Sequence, residues 1–116
     1  MSINPSFSFA FNIGKAFLDQ PSHPITVPRE QVDYAALEAS SLNRQKLSLL
    51  FPRGERNAER FYTLYQGTAG RGPYYQLQLR GERRDLPVYL KLHDRLLVIL
   101  FKYGHGSYVV LEYRDE

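Results

Sequence analysis

Alternation of apolar and polar side chains is the dominant pattern along this chain. From Pro5 to Ile13, Phe7, Phe9, Phe11 and Ile13 fall on one parity, and Ser6, Ser8, Ala10 and Asn12 on the other. A repeat of two predicts a strand with one buried face. A helix is the rival reading, since Lys15 to Leu18 can continue one. Asp19-Gln20-Pro21-Ser22-His23-Pro24 has the prolines and short polar residues of a loop. Ile25-Thr26-Val27-Pro28 predicts a short strand that ends at a helix start, because proline fits the first helical turn. Glu30 and Asp33 then stand near the positive end of that helix. Val32, Ala35, Ala36 and Ala39 form its apolar stripe, and it ends near Ser40-Ser41.

Beyond Ser41 the pattern is β. Leu47, Leu49 and Phe51 share one side of a strand over Lys46 to Phe51, and Pro52 to Asn57 is turn chemistry. Phe61 to Gln66 is an aromatic-rich strand. Gly67-Thr68-Ala69-Gly70-Arg71-Gly72-Pro73, with three glycines and a proline, predicts a loop. Tyr75, Leu77 and Leu79 alternate with Tyr74, Gln76, Gln78 and Arg80, and Gly81-Glu82 turns the chain. Leu86 to Leu92 fits either a strand or one turn of helix. Arg95 to Tyr103 has the β-branched and apolar residues of a buried strand, and Gly104-His105-Gly106 leads into a last strand, Ser107 to Tyr113. Short strands divided by turn signals predict a mainly β fold with one or two short helices, a small open barrel (a pseudobarrel) of about seven strands.

The length of 116 residues, with no internal repeat, predicts one domain over residues 1–116. Cysteine is absent, which excludes disulfides, thiolate chemistry and zinc-thiolate sites. Met1 to Ser8 lacks the basic and apolar runs of a secretion signal, and Leu96 to Phe101, the longest apolar run, is too short to cross a bilayer. The expectation is a soluble intracellular protein without membrane contact.

The net charge of +3 says little about partners, but its distribution says more. Between Arg44 and Arg84 stand nine basic residues, namely Arg44, Lys46, Arg53, Arg56, Arg60, Arg71, Arg80, Arg83 and Arg84, against only Glu55, Glu59 and Glu82. The rest of the chain is acidic on balance. Arginine is the side chain that grips phosphate or guanine with a planar fork. A solvated surface without a partner explains the charge alone equally well.

Candidate chemistry narrows the field. The three histidines, His23, His93 and His105, have no metal-ligand spacing, and no H-E-x-x-H signature or phosphate loop is present. No Asp-x-Lys or Glu-x-Lys pair of the nuclease sort occurs. His105 reads as a turn residue, and His93 and Asp94, being adjacent, point apart if they lie on a strand. The expectation is a chain without catalytic activity, cofactor or metal. The rival is a small nuclease or toxin built on His93, Asp94 or His105.

Gln66 to Tyr75 combines glycines that admit phosphates to the backbone, an Arg71 that matches guanine, glutamines that match adenine, and Thr68 and Tyr74 as phosphate donors. An ordinary hairpin loop is the plain alternative. A second polar loop, Lys15 to His23, accompanies it. The nine tyrosines raise an RNA- or single-strand-binding barrel as another reading, although Tyr62, Tyr65, Tyr103, Tyr108 and Tyr113 sit in strands, as core or sheet-face residues do.

The order of strand, polar loop, Val-Pro-led helix and successive strands resembles the B-three DNA-binding domain of plant transcription factors, a pseudobarrel also used for recognition by EcoRII-type restriction endonucleases. Phe11 to Leu18 looks like the opening strand of that family. Ile25-Thr26-Val27-Pro28-Arg29-Glu30-Gln31 resembles its Ile-Pro-Lys-x-x-Ala segment, and Leu47 to Phe51 with Arg60-Phe61-Tyr62-Thr63-Leu64-Tyr65 resembles its strand pair with a Trp-Arg-Phe core. Leu90-Lys91-Leu92-His93-Asp94-Arg95-Leu96 is similar to its Leu-x-x-Gly-Asp-x-Val step. Phe61 replaces the favoured tryptophan and His93 the favoured glycine, and the helix expected before that step is reduced to Leu86-Pro87-Val88-Tyr89. The likeness covers about Phe11 to Tyr113. It implies sequence-specific binding of double-stranded DNA by two loop arms in the major groove, as the recognition or effector module of a restriction endonuclease with a nuclease domain or subunit as partner. One arm maps onto Lys15, Asp19, Gln20, Ser22 and His23, the other onto Gln66, Thr68, Arg71, Tyr74 and Gln76. Charge adds Arg80, Arg83 and Arg84 as phosphate contacts.

Overall fold

The computed structural model describes residues 6–40, 42, 45–50, 61–69, 72–80 and 90–114. Its elements are β1 (Phe7–Asn12), α1 (Lys15–Asp19), β2 (Ile25–Thr26), α2 (Tyr34–Ala39), β3 (Lys46–Leu50), β4 (Phe61–Ala69), β5 (Gly72–Arg80), β6 (Arg95–Tyr103) and β7 (Gly106–Arg114). The seven strands form one sheet in the order β1-β6-β7-β3-β4-β5-β2, curled into a nearly closed barrel. All neighbours are antiparallel except β3 and β7, which run parallel. The mainly β barrel with two short helices is thus observed.

Alternation decides which side chains enter the barrel. Leu47 and Leu49 of β3, Tyr62 and Leu64 of β4, Tyr75, Leu77 and Leu79 of β5, and Leu96, Val98 and Leu100 of β6 all point inward and are buried. Phe9, Ile13 and Phe17 plug the β1 end, and Val32, Leu37 and Leu42 cover the other flank. The opening segment resolves its two rival readings in turn: strand to Asn12, then a one-turn helix whose Phe17 is buried.

Two expectations are corrected. The helix starting at Pro28 begins instead at Tyr34. The carbonyl of Pro28 accepts from the amides of Gln31 and Val32, closing a turn, and Asp33 caps α2 by accepting from the amide of Ala35 at 3.0 Å. Leu37 is the buried residue of α2, while Ala35, Ala36 and Ala39 are exposed. The stretch Gly67 to Pro73 is not an open loop. β4 continues to Ala69 and β5 starts at Gly72, its direct partner. Strand continues through Gly67 because Tyr74 of the neighbouring strand lies over it, where a β-carbon would fall 2.6 Å from the ring. Gly72 takes φ +104°, open to glycine. The turns expected at Pro52 to Asn57 and Gly81-Glu82, and most of Leu86 to Leu92, lie outside the described residues.

β1 and β2 are the free ends of the sheet. On the free edge of β1 the carboxamide of Gln31 takes the place of a strand: its Oε1 accepts from the amide of Ala10 at 2.9 Å, and its Nε2 donates to the Ala10 carbonyl at 3.5 Å. No helix among the described residues is long and apolar enough to cross a membrane.

Candidate nucleic-acid interface

Outside the barrel, the opposite parity of the same strands builds a polar surface. On β5 the outward positions are Tyr74, Gln76, Gln78 and Arg80, each half-buried beside a buried neighbour. Their side chains link into a row. Gln76 Nε2 donates to Thr26 Oγ1 of β2 at 3.2 Å, and Gln78 Nε2 donates to Gln76 Oε1 at 3.0 Å. The Arg80 guanidinium donates to Gln78 Oε1 at 3.2 Å and to the Tyr65 hydroxyl of β4 at 3.1 Å. It also lies over the Tyr65 ring, 5.2 Å from the centroid. Lys46 of β3 holds its ammonium 4.6 Å from the centroid of Phe61. Both cations are thereby fixed on aromatic faces. No carboxylate occupies a described outward position on β2, β5, β4 or β3.

Alternation separates residues that the linear sequence groups together. Tyr74, Gln76 and Arg80 share the outer face. Gln66 and Thr68 have the parity of the buried Tyr62 and Leu64, and are exposed only because the hairpin runs past the rim of the barrel. Arg71, Arg83 and Arg84 lie outside the described residues, as do most of the arginines in the basic stretch.

The other arm lies along β5. The Ser22 carbonyl accepts from the Leu79 amide at 2.7 Å, and the Tyr62 hydroxyl donates to the His23 carbonyl at 3.1 Å. His23, at φ 40°, brings Nδ1 to 2.6 Å from the Phe17 carbonyl. A carbonyl only accepts, so Nδ1 carries the proton. The ring also packs on Phe17, with centroids 5.5 Å apart. His23 therefore ties the loop to α1. Lys15, Asp19 and Gln20 are exposed on and after α1. Ala16, Gln20, Thr26 and Gln76 line one cleft, so the two arms meet at Gln76. Beyond it the hairpin extends four residues to Gly72, roughly 13 Å at a strand's rise.

Five residues outside the predicted set belong to this surface: Thr26, Lys46, Tyr65, Gln78 and Arg29. Gln78 was visible in the alternation of β5. The others were not, because strand neighbours far apart in sequence bring them there. Arg29 donates to the Pro73 carbonyl and stands 5.4 Å from the Tyr34 ring centroid, holding the hairpin near its tip. The Tyr34 hydroxyl donates to the Val27 carbonyl at 2.5 Å and accepts from the Tyr75 amide at 3.5 Å. Burial pushes the phenols of Tyr62 and Tyr75 above the ordinary tyrosine range. Glu38 and Tyr34 add to the rise at Tyr75, whose buried hydroxyl has no hydrogen-bond partner among the described residues.

The candidate acid-base residues occupy turns. The Asp94 carboxylate accepts from the Lys91 amide at 2.8 Å, His93 is exposed at φ 73°, and His105 is exposed between β6 and β7. Among the described residues no group of three metal-ligating side chains gathers. Compared with protein-family models, curated proteins and solved structures, the chain matches none.

Proposed function

We propose that this chain binds double-stranded DNA, reading bases with the outer face of β4 and β5 and with the loop at residues 20–24. The observation that carries this reading is the row Thr26-Gln76-Gln78-Arg80-Tyr65 on a face that, among the described residues, holds cations and no acid. Glutamine pairs with adenine and arginine with guanine in the major groove, which admits a two-stranded ribbon. The hydrogen bonds hold these side chains in place, so less rotamer freedom is lost on binding. The reach of roughly 13 Å from Gln76 to the hairpin end is comparable to the major-groove width of about 12 Å.

The B-three resemblance supports the finer reading, a sequence-specific module that delivers a nuclease domain or subunit to its site. A single-strand or RNA reading is less favoured, because the Tyr65 ring is covered by Arg80 and Tyr74 rests on Gly67. Competition of a bound duplex by single strands of equal length separates the two.

Selection of bound sites from random duplexes tests the proposal. A defined consensus is expected, and Arg80→Ala should cost roughly 1–3 kcal/mol and relax one position of it. Absence of duplex binding at low salt rejects the reading in favour of an acidic protein partner. Metal-stimulated turnover abolished by His93→Ala would replace it with an enzyme.

A further inference from the structure

Gln31, in the turn after β2, holds β1 at Ala10, and beside it residues of both β1 and β2 line a cleft of about 270 Å³ that forms the seam between these strands. The chain's own geometry equips this cleft with hydrogen-bonding groups. The Ala10 amide and carbonyl face the seam, and in an antiparallel strand the peptide groups two residues on face the same way, so those of Asn12 do too. On the other bank the Val27 amide bonds to the Tyr75 carbonyl, which leaves the peptide groups of Thr26 turned away from β5 and into the seam. The side-chain amides of Asn12, Gln20 and Gln76 and the Thr26 hydroxyl complete the polar lining, and half-buried Phe11, backed by the buried ring of Phe17 with centroids 5.5 Å apart, forms the apolar part.

Among the described residues, none that lines the cleft is charged. The described lining thus offers no counter-charge to a phosphate, carboxylate or ammonium, and its amides and hydroxyl suit a neutral ligand. The volume lies below the roughly 300–1,000 Å³ of clefts that take drug-sized molecules, so the ligand is one ring system. Its edge must carry both donors and acceptors and one face must suit the phenyl ring of Phe11. A nucleobase meets each condition.

We infer that this cleft receives a single unpaired nucleobase, held by the amides of Asn12, Gln20 and Gln76 and packed against Phe11. The inference rests on the nucleic-acid reading for the source of the base. Gln76 belongs both to the cleft and to the outer row, so a strand lying along that row ends at the cleft mouth. Extrusion is easiest for a mismatched or already single-stranded base.

Two measurements on the full chain test this. The first is titration with free nucleosides, followed by amide chemical shifts. The second is binding of duplexes that carry a fluorescent purine analogue, either paired or opposite a mismatch. Expected are shifts confined to Asn12, Gln20, Thr26 and Gln76, and a several-fold rise in fluorescence on binding the mismatched duplex. Asn12→Ala, which removes an exposed amide, and Ala16→Leu, which fills the cleft, should abolish both while leaving affinity for the fully paired duplex as in the parent. Duplex binding with no unstacking and no nucleoside shifts overturns the inference and leaves the proposed function standing. Nucleoside shifts without any duplex binding support the cleft and overturn the proposed function.

Discussion

The side chain of Gln31 meets both the amide and the carbonyl of Ala10, as a neighbouring strand would. A carboxamide carries one donor edge and one acceptor edge, so it matches the two free groups of an edge peptide. Gln31→Ala should lower stability by about 0.5–1.5 kcal/mol for each bond lost. The Ala10 amide should exchange with solvent faster, while amides of β7 keep their protection. Unchanged exchange at Ala10 would mean that the seam is held by other contacts.

Tyr62 links the core to the recognition loop through the His23 carbonyl, and its phenol is fully buried. Burial raises its folded pKa above the unfolded value of 10.0. Below that pH both states keep the proton and stability is flat. Above it only the unfolded state ionises, so Tyr62 removes about 1.4 kcal/mol of stability per pH unit. Tyr75 acts in the same direction. Tyr62→Phe should make this alkaline loss shallower, as read from urea unfolding at several pH values above 10. An equally steep loss would reject the assignment.

Gly67 and Tyr74 are direct partners across β4 and β5, and the ring of one occupies the place of a side chain on the other. Gly67→Ala forces the end of a movable ring aside rather than displacing backbone, so the stability change should stay below about 1 kcal/mol. The Tyr74 ring should lose its fixed position. A double-mutant cycle of Gly67→Ala with Tyr74→Ala measures the coupling, and additive changes would show that the contact carries no energy.

Lys46 and Arg80 both rest on aromatic rings but differ in their surroundings. Lys46 is exposed and, among the described residues, rests on the Phe61 ring alone, whereas Arg80 also donates to Gln78 and Tyr65. Lys46→Ala should weaken all duplexes alike and lower the salt slope by about one. Arg80→Ala should additionally change sequence preference. Identical selection profiles for the two variants would contradict this division.

Much of the barrel was legible in the chain because β alternation is local. Leu47, Leu49, Tyr75, Leu77 and Leu79 announce their burial by parity alone, and the strand expected from Arg95 to Tyr103 has those limits. Glycine content misled at Gly67, because the reason a glycine is needed there sits on another strand. The α2 start was misplaced because the turn at Pro28 and the cap at Asp33 use the same residue types as a helix N-terminus.

The candidate site divides along the same line. Each strand's own sequence determined which of its residues face outward, since the backbone repeat of two leaves no other choice. Only the tertiary structure decided which outward residues meet: Thr26 beside Gln76, Tyr65 beneath Arg80, Gln31 against Ala10. Such pairings depend on strand order and register, which are set by the packing of the whole core, and no local stretch of chain encodes them.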